Sequence, residues 1–211
     1  VSISFADRLI IEFDRGLRTL SRNSARTQRE NPAHSIDDHD LNADDRKLSA
    51  RLMRVNHAGE VAAQGLYHGQ AITAKNAKTQ ANMDAAAREE GDHLAWCQER
   101  LNELNTHASV FSPIWYFGSF AMGASAGLLG DKWSLGFVAE TEAQVEQHLQ
   151  DHLQRLPFQD HKSQAIIQQM QQDEHEHGQA AKDLGGADLP IPAKKLMSSI
   201  SQVMKVGAYW V

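Results

Sequence analysis

The chain has 211 residues, enough for one domain with a sizeable core. Apolar residues make up 41% and charged residues 23%, and the net charge of −6 excludes a general nucleic-acid binder with its basic face. The single cysteine, Cys97, excludes an intrachain disulfide and fits a reducing compartment.

The first stretch, "VSISFADRLIIEFDRGL", carries acids and an amphipathic pattern rather than a basic start and an apolar run, so no secretion signal is expected. Residues 4–22 predict a short amphipathic helix through Phe5, Leu9, Ile10, Phe13, Leu17 and Leu20. Residues 23–44 are polar and aperiodic and predict a mobile linker. The expected organisation is therefore an N-terminal helix with polar linker over 1–44 and a helical bundle domain over 45–211. With only five prolines, and long runs rich in Ala, Leu, Gln, Glu and His, the chain predicts an all-α fold. Long helices are expected over about 45–75, 77–105, 131–156 and 160–184, stopped by Pro157 and by Gly185-Gly186, with a last amphipathic helix over about 193–209.

Between the second and third long helices the chain is unusually apolar: no Asp, Glu, Lys or Arg occurs from Leu104 to Gly130. The length would permit a membrane span, but Pro113 and the glycines interrupt it and Glu103 and Asp131 flank it. A surface embedded in one leaflet is the expectation, with an apolar entrance at Trp115, Tyr116 and Phe120 and close helix packing at Gly118, Gly123, Gly127 and Gly130. The last helix, with Lys194, Lys195 and Lys205 beside Leu196, Ile200 and Met204, could add to that face.

The chemistry lies in what interrupts the apolar stripes. On the second long helix the stripe runs Met83, Ala86, Glu90, His93, Cys97, Leu101; on the helix of 160–184 it runs Ile166, Met170, Glu174, His177, Ala181. Each holds a Glu-x-x-His. The other two stripes hold one acid each, Glu60 between Asn56 and Ala63, and Glu142 between Val138 and Val145. Four core-facing carboxylates cannot be buried unpaired, and these stripes offer no Lys or Arg. Two divalent metal ions would offset them. Glu60, Glu90, His93 recur as Glu142, Glu174, His177 at offsets of 82, 84 and 84 residues. One Glu on each of two helices with Glu-x-x-His on each of two others is the dinuclear carboxylate pattern. Oxygen and imidazole donors without thiolate suit iron or manganese. Asp173 has two readings, a solvent-facing acid or an acceptor for a ligand imidazole across the bundle. His148 and His152 read as surface histidines, and His175 and Glu176 lie off the stripe in solvent.

"RLMRVNHAGEVAAQGLYHGQA" (51–71), "EEGDHLAWC", "VAETEAQVEQHL" (138–149) and "DEHEHG" together resemble the bacterial demethoxyubiquinone hydroxylases, over essentially all of 45–211. This resemblance implies a ferritin-like four-helix bundle with extra apolar and terminal helices. It implies two iron ions held by Glu60, Glu90, His93, Glu142, Glu174 and His177, with Glu90 and Glu174 bridging. It further implies O2-dependent hydroxylation of a demethoxy polyprenyl-benzoquinol in ubiquinone biosynthesis, with electrons from an external donor such as NADH. The implied partners are a lipid surface, on the cytoplasmic face of the inner membrane, and other quinone-biosynthesis proteins, with no nucleic acid. Eukaryotic relatives carry Tyr where this chain has Leu149, so any role of that Tyr does not transfer. Two alternatives share the metal pattern: a ferritin-like iron-handling or ferroxidase protein, and a non-catalytic membrane partner with a structural metal.

Overall fold

The structure is a computed structural model and describes residues 5–21, 28–37 and 40–211. Seven helices follow one another: α1 (Phe5–Leu20), α2 (Ala43–Thr73), α3 (Ala77–Glu103), α4 (Ser112–Leu128), α5 (Asp131–Arg155), α6 (His161–Asp183) and α7 (Ile191–Trp210). The protein is all-α among the described residues.

Polar residues set the helix starts. The side chain of Asn42 accepts from the Asp45 amide at 2.9 Å, Asn76 from Lys78 at 2.8 Å, and Asp160 from Ser163 at 3.1 Å. Pro113 sits in the first turn of α4, where no intrahelical donor is lost. Gly185, at φ 93°, ends α6 at the expected stop.

Helices α2, α3, α5 and α6 form the four-helix bundle: α2 pairs with α3, α5 with α6, and α3 faces α6. α4 lies along the outside of α2, and α7 packs over α2 and α5. The bundle core is split in two. One cluster holds Leu52, Met53, Trp96, Cys97, Leu101, Leu149, Ile166 and Met170. The other holds Tyr67, Ala71, Met83, Ala87, Leu135, Val138 and Ala181. On every bundle helix the residues between the two clusters are the predicted stripe interruptions. The interior was therefore built around a polar centre.

At one end of the bundle the fully buried Arg100 ties α3 to the start of α6, donating to Asp160 at 2.7 Å and to Ser163 at 3.0 Å. No helix among the described residues is long and apolar enough to cross a membrane. α4, at 17 residues, reaches about 25 Å against a hydrocarbon core of about 30 Å.

The stretch of 23–44, expected as a mobile linker, is held against the bundle where it is described. Gln28 donates its amide to Asp92, Arg29 pairs with Asp92 and Asp173, and Ala33 is buried in the core. Residues 23–27 and 38–39 of that prediction lie outside the described residues. α1 forms as expected, but Ile10, Phe13 and Leu17 of its apolar stripe face outward.

Candidate metal centre

Glu60 of α2, Glu90 and His93 of α3, Glu142 of α5 and Glu174 of α6 are each at most 2% exposed. Glu60, Glu90, His93 and Glu174 offer ligand atoms that all lie within 4.8 Å of one another. His93 Nδ1 faces Glu90 Oε2 at 3.0 Å, Glu174 Oε1 at 3.4 Å and Glu60 Oε2 at 3.7 Å. One nitrogen cannot hydrogen-bond three carboxylates well; the donors converge on a common space. His177, at the edge of this group, turns Nδ1 to Glu90 Oε1 at 3.2 Å and Glu174 Oε2 at 3.8 Å. Glu142 accepts a hydrogen bond from the Tyr67 hydroxyl. Glu90 and Glu174 thus stand between the two imidazoles, and Glu60 and Glu142 flank them from α2 and α5.

The outer nitrogens are held as well. His93 Nε2 meets Asp173 Oδ2 at 2.8 Å, and His177 Nε2 meets Glu89 Oε2 at 2.7 Å. Each partner is the acid one residue ahead of a cluster Glu on the opposite helix. Such a contact fixes the ring and its tautomer with Nδ1 turned inward. Of the two readings of Asp173 the structure shows the acceptor. Glu89 was missed, although it precedes Glu90 as Asp173 precedes Glu174; the repeat, extended by one residue, signals it. Tyr67, fully buried, donates its hydroxyl to the cluster carboxylate Glu142.

Other expectations resolve differently. His175 and Glu176 are exposed as predicted. His148 and His152 are not surface histidines: their rings meet edge to face with centroids 3.9 Å apart, His152 is 3% exposed, and burial first, then neighbouring Lys205 and Arg155, lowers the His148 pKa to about 3. His57, not among the expected ligands, lines a cavity of about 500 Å³ beneath α1, and burial lowers its pKa to about 4.

Burial would raise Glu60, Glu90 and Glu142, and the groups divide the charge between them. Burial pushes Glu60 well up, and the charge of Glu90 adds to this against the His93 hydrogen bond. Burial and the charge of Glu174 do the same to Glu142. Glu90 is held well below the usual range: the His93 charge and hydrogen bonds from both imidazoles outweigh its burial. Burial lowers both histidines, but the Glu90 charge and carboxylate hydrogen bonds hold His93 well above its ordinary value and push His177 up to about 12. Without metal, protons do the neutralising. Yet the contacts of Glu90 Oε1, Glu174 Oε2 and His177 Nδ1 are not well-formed hydrogen bonds, and these atoms are buried. Unclaimed oxygen and imidazole lone pairs aimed into one dry space fit hard or borderline divalent cations.

A prediction follows from the direction of these shifts. Metal must displace the protons on Glu60, Glu142, His93 and His177, so binding releases protons and strengthens as pH rises. Fe(II) or Mn(II) affinity should climb by more than about tenfold per pH unit between about pH 6 and 7.5. Calorimetry in buffers of different ionisation enthalpy measures the release, and a pH-independent affinity would contradict it.

An all-α bundle with clustered carboxylates and imidazoles is typical of ferritin-like di-iron proteins. Residues 47–208 match the family model described as "Ubiquinone biosynthesis protein COQ7". The chain is 55% identical over 205 residues to a 3-demethoxyubiquinol 3-hydroxylase of Nitrosospira multiformis, covering 97% of this chain and 98% of that one. It is 53% identical over 204 residues to the enzyme of that name from Polynucleobacter necessarius, covering 96% and 97%. With that of Nitrosococcus oceani it shares 52% over 209 residues, covering 99% and 98%.

Proposed function

Since the chain belongs to the COQ7 family and is a di-iron monooxygenase of ubiquinone biosynthesis, we propose that it hydroxylates the ring of a demethoxy polyprenyl-benzoquinol with O2. Glu60, Glu90, His93, Glu142, Glu174 and His177 would hold two iron ions, which when bound would supply oxygen activation. The overall balance is quinol, O2, two electrons and two protons giving hydroxyquinol and water, the electrons coming from an external donor such as NADH.

The observation that carries the substrate is an apolar groove of about 330 Å³ between α2, α4, α5 and α7. Its walls include Gly59 and Ala63 on α2 and Thr141 and Val145 on α5, which bracket Glu60 and Glu142. The groove therefore runs beside the turns of α2 and α5 that carry these two acids. Trp115 and Met122 of α4 and Met204 of α7 line it with surface suited to an isoprenoid chain. Around it Ile114 and Phe117 of α4, and Leu196, Ile200, Val203 and Trp210 of α7, are exposed. A patch of that kind suits one leaflet of a bilayer. The protein sits as a monotopic protein on the cytoplasmic face of the inner membrane, where a long-tailed quinol can pass from lipid into the groove, and where other quinone-biosynthesis proteins can meet it. The chain's own residues bind the tail, present the ring at the Glu60 and Glu142 side, and keep water out; Tyr67 holds Glu142 in place from the core. Residues 45–211 carry all of this; ahead of them, residues 5–20 form an N-terminal helix and residues 28–37 a segment laid on the bundle.

A single turnover tests the reading. Protein loaded anaerobically with Fe(II) and given a reduced demethoxyquinol is exposed to labelled O2, and the product is weighed. One labelled oxygen on the ring is expected. Unmodified quinol with oxidised or mineralised iron would overturn the reading in favour of an iron-handling protein.

A further inference from the structure

The two halves of the centre share a plan but not a cover. On one side His93, fully buried, gives Nε2 to Asp173 Oδ2 at 2.8 Å. The same oxygen accepts from Arg29 Nη1 at 2.8 Å, and Arg29 Nε reaches Asp92 Oδ2 at 3.2 Å. The guanidinium also lies over the Trp96 ring, 4.9 Å from its centroid, with Nη2 3.2 Å from His93 Nε2. Its segment is fastened to α3 on either side: the Gln28 amide donates to Asp92 at 2.7 Å, and Asn31 donates to Glu99 at 2.7 Å. The side chains of Asp92 and Asp173 are 3% and 8% exposed. On the other side the outer nitrogen of His177, Nε2, meets Glu89, whose side chain is 49% exposed and, among the described residues, is paired with no Lys or Arg.

We propose that Arg29 is a positioning residue that locks Asp173 onto His93, making the His93 half of the centre closed and slowly exchanging, while metal enters and leaves by the His177–Glu89 half. The proposal rests on the two-iron reading of the centre. Its physical basis is the cost of letting a ligand swing away. To turn, His93 must give up a hydrogen bond to a buried carboxylate that a forked, stacked guanidinium holds in place, and water cannot replace that contact. To turn, His177 gives up one hydrogen bond to an exposed carboxylate that water satisfies at once. The segment carrying Arg29 thus closes one door of a site with two.

The test is iron release from the full chain. Protein loaded anaerobically with Fe(II) is mixed with excess ferrous chelator and followed by absorbance. The wild type should release its iron in two phases of similar amplitude. Arg29→Ala should speed the slow phase by about 10- to 100-fold, the usual range for losing an outer partner of a metal ligand, and leave the fast phase where it was. Arg29→Lys, which can reach one carboxylate but not fork across two, should fall between. Glu89→Gln should speed the fast phase alone. A slow phase indifferent to Arg29→Ala, equal acceleration of both phases, or a single phase in the wild type would each overturn the proposal. Wild-type protein that holds fewer than two ions would overturn the two-iron reading itself, and this is seen before any substitution is made.

Discussion

Glu90→Ala is expected to empty the centre of iron and abolish ring hydroxylation, while the helical content is retained. Glu90 is fully buried, and its two oxygens are divided between the imidazoles: Oε2 is 3.0 Å from His93 Nδ1 and Oε1 is 3.2 Å from His177 Nδ1. Glu174 also stands between them, but farther from each, at 3.4 and 3.8 Å. Ala at this position takes away the carboxylate closest to both halves at once. Losing an outer partner of a ligand costs about 10- to 100-fold in metal affinity, so losing a central ligand should cost at least that. A metal ion contributes several kcal/mol of transition-state stabilisation, so hydroxylation should fall on the order of a thousandfold or more. In the metal-free variant the His177 pKa, now near 12 because Glu174 and Glu90 outweigh its burial, should drop markedly. Iron content by atomic absorption, turnover with labelled O2 and histidine titration by NMR read these effects separately. His175→Ala, exposed and one residue along α6 from Glu174, should change none of them. Iron and activity retained by Glu90→Ala would remove Glu90 from the ligand set.

The residues of this centre were legible because a helix converts spacing into direction. A carboxylate at a core position of a 3.6-residue repeat has few physical explanations, and four of them with two imidazoles in a repeated order have fewer. Asp173 was half legible for the same reason, since it neighbours Glu174. What stayed hidden depends on contacts between distant segments. Arg29 lies in an aperiodic stretch, 63 residues from Asp92, and no periodicity points it at His93. The burial that lowers His148 and His152, with the charge of Lys205 on α7 adding to it, is likewise a matter of tertiary packing. Of the glycines expected to permit close packing, Gly123 and Gly127 do so. Gly118 has open space where a side chain would stand, and Gly130 serves the turn before α5 at φ 107°. Composition singles out a small-residue stripe; which of its members meets a backbone is decided by the partner helix.

Gly69→Ala should be the most damaging of the small-to-larger changes in that seam. Helices α2 and α4 touch backbone to backbone. A Cβ at Gly65 would land on the carbonyl oxygen of Tyr116, one at Gly69 on that of Phe120, and one at Gly123 on that of Leu66. A flexible side chain could give way, but a helix carbonyl cannot, so one helix must shift along its whole length. Overpacking of this kind costs about 1–3 kcal/mol, with backbone collisions toward or beyond the upper end. For a chain of this size that lowers the melting temperature by roughly 5–10 °C. The functional signature is separable from the stability loss. α4 supplies Trp115, Gly118 and Met122 to the apolar groove and none of the clustered acids or imidazoles. Displacing it should raise the KM for a long-tailed quinol while iron content stays at the wild-type level. Gly118→Ala provides the contrast on the same helix: nothing lies within 4 Å of the added methyl, and the gain in helix propensity should raise stability by up to about 1 kcal/mol. If Gly69→Ala melted with the wild type, α4 would be free to move away at little cost, and the tight α2–α4 seam would not be what shapes the groove.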